Sequence, residues 1–330
     1  MKKIINNPSN VMEDMVKGMT LANEEQWIQV EGTNVICRKE LSANKVGLVS
    51  GGGSGHEPAH AGYVGKGMLD AAVVGEVFTS PTPDQILEAI KSVDQGNGVL
   101  LIVKNYTGDV LNFEMAGELA ESEGIRVEQV IVNDDIAVKD SDFTIGRRGI
   151  AGTVFVHKIA GAKAEQGASL EEVKAAAEKA IEQVRSMGMA LTPCTVPDAG
   201  KPSFHLAEDE MEIGIGIHGE VGTERKKITS AKDIAVELTN NILEDLSLSA
   251  GDEVAVMVNG MGATPEMELY IVNGHVNELL KEKQIDIHQT YVGEFMTSLE
   301  MAGFSITLLK VDAELKQLLA YPSEAIAFRA

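Results

Sequence analysis

Ser50-Gly51-Gly52-Gly53-Ser54-Gly55-His56-Glu57-Pro58-Ala59-His60 follows a short apolar run, Val46-Gly47-Leu48-Val49, of the kind that forms a buried strand. Four glycines in the five residues 51–55 remove side chains where that strand is expected to end. With no Cβ to block the approach, backbone N–H groups there can turn toward a bound oxygen. A His-Glu-Pro triplet then opens an expected helix. The stretch lacks the Gly-Lys-Ser/Thr ending of a nucleotide-phosphate loop, and Gly53 and Gly55 have no third glycine at the Rossmann spacing. It reads as a small-ligand loop rimmed by a histidine, with two later segments expected to face it.

His56-Glu57-Pro58-Ala59-His60 also spells the His-Glu-x-x-His pattern of zinc proteases. That motif needs a helix interior to bring both imidazoles onto one face. Pro58 is tolerated only in a first helical turn. The metalloprotease reading is therefore set aside, and no metal site is expected.

Downstream, strand, polar loop and helix alternate. Residues 70–78 and 99–103 read as buried strands, and 127–132 as another that runs into Asp134 and Asp135. Helices are expected over 9–23 (Ser9 as N-cap), 85–93 and 112–122. The polar stretch Lys104-Asn105-Tyr106-Thr107-Gly108-Asp109 follows the most apolar strand. This order predicts an α/β domain with largely parallel strands, whose ligand sits beyond their carboxyl ends. A long helix is expected over 169–187, from Ser169 to a stop at Gly188. A boundary there gives an N-terminal α/β domain, 1–185, and a smaller C-terminal α+β domain, 186–330. The second part carries expected strands at 210–219, 253–258, 285–292 and 305–311, with helices near 231–245 and 265–280.

The chain has 330 residues, 44% apolar and 24% charged, which suits two soluble domains. Its net charge of −22 argues against nucleic acid or an anionic membrane as partner. Two cysteines, Cys37 and Cys194, make neither a disulfide framework nor a zinc cluster. Lys2 and Lys3 are followed by no signal-type apolar core, and no run reaches membrane-spanning length. A cytoplasmic protein is the expectation.

Gly214-Ile215-Gly216-Ile217-His218-Gly219 matches the dinucleotide fingerprint in letters but lies in an alternating run, not between strand and helix. As a strand, it would turn the isoleucines inward and leave Gly214, Gly216 and His218 on an open face. His218 is then either a surface histidine at a strand end or a group set against a ligand. Asp109 either caps the next helix or serves as a base for a substrate hydroxyl. Lys104 either marks the wet end of its strand or holds a substrate oxygen.

Taken together, the segments resemble the substrate-binding subunit (DhaK type) of dihydroxyacetone kinase. The resemblance rests on the 50–58 stretch, Phe78-Thr79-Ser80-Pro81-Thr82-Pro83-Asp84, the 104–109 stretch and Gly146-Arg147-Arg148-Gly149. It continues through Cys194-Thr195-Val196-Pro197, Gly216-Ile217-His218-Gly219-Glu220, Gly262-Ala263-Thr264-Pro265 and the run from Gly303 to Lys310. It implies that His218 adds to the ketone of dihydroxyacetone as a covalent hemiaminal, chemistry that needs a neutral imidazole. It further implies Asp109 as the base for the phosphorylated hydroxyl and His56 as its partner in proton handling. Gly53, Ser54, Gly55 and Lys104 would hold substrate oxygens. No cofactor is expected on this chain. ATP or ADP with magnesium belongs on a separate nucleotide-binding (DhaL-type) subunit, recharged in some bacteria by a multiphosphoryl protein of the phosphotransferase system. A homodimer is implied, and a ligand-sensing co-activator that binds the same ketone without turnover is the competing expectation.

Overall fold

The computed structural model describes residues 2–139 and 145–329. Its first sheet comprises β1 (Trp27–Gln29), β2 (Val35–Arg38), β3 (Gly47–Ser54), β4 (Ala71–Val77), β5 (Val99–Lys104) and β6 (Val127–Val132). They lie in the order β1-β2-β4-β3-β5-β6. β4, β3, β5 and β6 run parallel, and β1 and β2 close one edge antiparallel. The expected largely parallel α/β sheet is present.

Alternation along β5 sorts the apolar side chains to two faces. Val99, Leu101 and Val103 join α2 (Pro83–Val93) and α3 (Thr107–Ser122) in one core. Leu100 and Ile102 face the other way, toward α4 (Thr153–Glu165) and α5 (Leu170–Gln183). α1 (Val11–Ala22) packs on β4.

The second sheet is mixed, as an α+β unit should be. It contains β7 (Val184–Ala190), β8 (Glu210–Ile213), β9 (Glu224–Lys227), β10 (Glu253–Gly260), β11 (Asp286–Gly293) and β12 (Gly303–Lys310). Their order is β11-β10-β12-β7-β8-β9, parallel only between β10 and β11. α6 (Ala231–Asp245) and α7 (Glu266–Glu282) cover one face. Ala255, Met257 and Leu309 point the other way and share a core with α4, α5 and α8 (Ala313–Leu319). The α4–α5 layer thus lies between the two sheets.

Several expectations are corrected here. The glycine run is no loop: β3 continues through Ser54, buried throughout. The residues after it form turns and a short 3-10 helix at Ala61–Tyr63, so His56 and His60 share no helix face. The helix expected over 169–187 ends at Gln183, because Val184 onward pairs with β12. Its start is as expected. Ser169 and Glu172 form a reciprocal capping box. At the N-terminus, Asn7 accepts from the Ser9 N–H and caps a 3-10 turn over Pro8–Asn10, while α1 begins at Val11 without a side-chain cap, so Ser9 is not its N-cap. The strand expected over 210–219 ends at Ile213, and Gly214 turns with φ +75°.

Candidate functional site

The parallel strands deliver the site as the sheet geometry requires. β5 ends on Lys104, and α3 begins three residues later with Asp109 buried in its first turn. Lys104 Nζ lies 3.9 Å from Asp109 Oδ2, with both side chains almost wholly buried. Burial pushes the Lys104 ammonium down from its usual value, while Asp109 pulls it back up. Beside them, the β3 glycines serve close approach. A Cβ on Gly52 would lie 3.0 Å from Lys104 Nζ, and one on Gly53 would lie 2.5 Å from the Thr79 backbone nitrogen.

His56 leaves β3 through Gly55, whose φ of +100° suits glycine alone. The Gly55 N–H is taken by the Glu57 carboxylate at 3.0 Å, and the Ser54 hydroxyl donates to Gly75 O at 2.6 Å. His56 Nδ1–H donates to Thr297 O at 2.8 Å, which leaves Nε2 as an acceptor. The ring stacks on Phe78 with centroids 5.0 Å apart. Burial, then the neighbouring His218 ring and Lys104, push His56 well below the ordinary histidine range.

His218 arrives from the second sheet, on the turn after β8. It is half-buried, with 21% of its side chain exposed. Its Nδ1–H donates to Glu220 Oε1 at 3.0 Å, and its backbone N–H to Glu220 Oε2 at 2.8 Å. Burial alone would raise the Glu220 carboxyl, but His218 and Arg148 bring it down to about 2. Rings of Tyr106 and Phe78 stand edge-on to His218 at 4.6 and 5.0 Å. The two histidines meet Nε2 to Nε2 at 3.0 Å. Since each Nδ1 is already a donor, two lone pairs face each other, and the contact is attractive only when one proton bridges the rings.

A cleft of about 310 Å³ opens beside this pair, bounded by Gly53, Phe78, Ser80, Gly108, Asp109 and His218. The structure therefore brings His56, Asp109, Lys104, His218 and Gly53 together. Ser54 and Gly55 stand next to them with their polar groups already bonded. His60 bonds His157 instead, Nδ1 to Nε2 at 3.0 Å, away from His56. Among the described residues no three potential ligands converge on a metal position, and no helix is long and apolar enough to cross a membrane.

Sequence reasoning gave no role to Glu220, although a carboxylate two residues from a histidine is a local signal. It also missed the 297–299 segment, which carries no motif. Thr297 and Leu299 bond the His56 strand end, and Ser298 Oγ donates to Ile217 O at 2.5 Å. One short segment thus holds both histidine-bearing turns.

With this geometry in place, the comparisons are specific. Residues 17–327 match the Dak1 domain. The PTS-dependent dihydroxyacetone kinase 1, dihydroxyacetone-binding subunit DhaK of Listeria innocua is 59% identical, over 99% of this chain and 100% of that protein. The dihydroxyacetone kinase of C. freundii has a solved structure that superimposes with a TM-score of 0.92 at 35% identity. That match covers 99% of this chain and 60% of the longer kinase chain. The dihydroxyacetone kinase operon co-activator Dha-DhaQ matches with a TM-score of 0.91 at 40% identity, over 96% of this chain and 97% of its own. The chain belongs to the Dak1-domain family and is of the DhaK type.

Proposed function

We propose that this protein binds dihydroxyacetone as a covalent hemiaminal on His218 and presents its hydroxyl to a separate nucleotide-carrying subunit. The observation that carries this reading is the contact of His218 with both His56 and Glu220 at the edge of the Asp109 cleft. With Nδ1–H engaged by the carboxylate, Nε2 of His218 is the nucleophile. His56 first takes up the proton lying between the rings. As Nε2 bonds the carbonyl carbon, the C=O π pair moves to oxygen, which receives that proton from His56. The imidazolium so formed is neutralised by Glu220. Charge balances throughout, and a polyol without a carbonyl offers no carbon to attack.

Asp109 would then take the proton of the reacting hydroxyl as the phosphoryl group arrives, with Lys104 holding a substrate oxygen. The donor, ATP with magnesium, belongs to a DhaL-type partner, and a phosphotransferase-system protein would recharge the ADP left there. The name of the Listeria relative supports that donor system. Incubation with dihydroxyacetone followed by intact mass measurement should show one adduct per chain, absent in His218→Ala. Persistence of the adduct in that variant would refute the assignment.

The likeness to the co-activator favours one second reading, a sensor that binds the same ketone without turnover. A turnover assay with the nucleotide subunit separates the two. Formation of dihydroxyacetone phosphate supports the enzyme, and adduct without product supports the sensor.

A further inference from the structure

Gly216 sits beneath the His218 turn, and the space where its side chain would be is filled from both sides. A Cβ there would lie 2.0 Å from Glu220 Oε2 and 2.6 Å from Arg148 Nη1. Arg148 is fully buried and pairs with Asp135 through Nε and Nη2, at 2.8 and 2.7 Å. Nη2 also donates to Gly214 O at 2.8 Å. Nη1 alone has no hydrogen-bond partner among the described residues, and it points into the space shared with Glu220.

We infer that Arg148 is a positioning residue for the ketone-adding imidazole, acting through Glu220 to hold His218 in the tautomer whose Nε2 carries the lone pair. This rests on the reading of His218 as nucleophile. An ionised carboxylate can only accept, so it requires Nδ1–H and frees Nε2. A protonated carboxyl would donate its O–H to Nδ1 and place the ring proton on Nε2, where it blocks attack. Glu220 is buried, which favours the protonated form. The charges facing it decide the matter: Arg148 from the turn before α4, Lys104 from β5 and His218 from its own turn, with the Tyr106 hydroxyl nearby. Lys104 has Asp109 as its counter-ion. Arg148 has Asp135, yet its remaining N–H side is turned to Glu220, which makes it the cation set for this task. Gly216 is required because any side chain would separate the two.

Nitrogen-15 spectra of the wild-type imidazoles read the tautomer without any substitution. His218 protonated on Nδ1 is expected, and a neutral ring protonated on Nε2 would overturn the inference. For the chemistry, Arg148→Met and Arg148→Lys are compared with wild type by the rate of adduct formation across pH, with folding checked by circular dichroism. Arg148→Met should move the acid limb of the adduct-rate profile to higher pH, slowing the adduct about tenfold on that limb, because a less supported Glu220 protonates earlier as pH falls. Arg148→Lys should restore most of the rate. A folded Arg148→Met with the wild-type rate and pH profile would refute the positioning role. If wild type forms no adduct, the covalent reading fails instead, and the spectra still decide the tautomer.

Discussion

His56 and His218, 162 residues apart, face each other Nε2 to Nε2 at 3.0 Å, each with its other ring nitrogen already donating. The pair is therefore asymmetric in surroundings though symmetric in chemistry. His218 rests on a carboxylate, while His56 rests on a carbonyl and is pushed by burial well below the ordinary histidine range, so it holds a proton weakly. On the proposed reading, one ring adds to a ketone and the other carries a proton and releases it readily.

Replacing His56 tests that division. His56→Ala should still form the His218 adduct, but roughly a hundredfold more slowly, because no side chain then moves the proton to the carbonyl oxygen. Time-resolved intact mass measurements report the rate. An unchanged rate would remove His56 from proton transfer.

Asp109→Asn separates binding from transfer. The amide keeps the size and one acceptor but cannot take a proton as a carboxylate does. The adduct should form normally, while phosphorylation with the nucleotide subunit falls by at least about a hundredfold. Near-normal turnover would leave Asp109 as a helix-terminal acid and nothing more.

Glycine substitutions distinguish close approach from plain flexibility. In Gly53→Ala, the new Cβ meets the backbone of Phe78 and Thr79 at 2.5–2.8 Å. That shift should cost about 1–3 kcal/mol, and it should weaken ketone binding because Phe78 stacks on His56. Gly274 is the control. It lies inside α7 with nothing within 4 Å of an added Cβ. Gly274→Ala should stabilise by about 0.5–1 kcal/mol. Denaturant melts of both variants read the contrast.

Lys158 gives a prediction with a definite pH window. It has no exposed surface in α4, and burial lowers its ammonium from 10.5 to about 8. Between these values the unfolded chain binds more protons than the folded one, so stability rises with pH from about 8 to 10.5. Below that window the buried charge costs up to about 3 kcal/mol, less what its bond to the Tyr321 carbonyl returns. Lys158→Met should therefore be more stable at neutral pH by about 1–2 kcal/mol, with the gap closing above pH 8. Denaturant melts at pH 7 and pH 10 suffice, and a constant gap would contradict the assignment.

The legible parts of the fold were those with a local cause. β5 announces itself as an apolar run, and Ser169 with Glu172 spells a capping box. α4 was missed because it lies between the two sheets and is buried all round, so it has no polar face to set a period. The alternation of Ile213, Ile215 and Ile217 suggested a continuous strand. All three are buried, but the last two are buried by a turn folded under the site. β7 was absorbed into the preceding helix because only its pairing with β12 makes Val184–Ala190 a strand. In the site, the residues drawn from motifs lie where strand ends and turns converge. Thr297 and Ser298 had no such signal, because their role exists only once two distant turns have been brought to them.

The glycines of β3 also bear on redesign. Gly53 and Gly108 line the cleft with main chain only, beside side chains that include Phe78, Ser80, Tyr106 and Thr107. A lining of backbone offers nothing to mutate toward a larger ketone, since adding atoms there only fills the cleft or drives the chains apart. Room for a longer substrate has to come from the side chains, and of these Phe78 also supports His56. Ser80, which makes no hydrogen bond to either histidine, is therefore a position from which the cleft can be widened without removing a partner of His56 or His218.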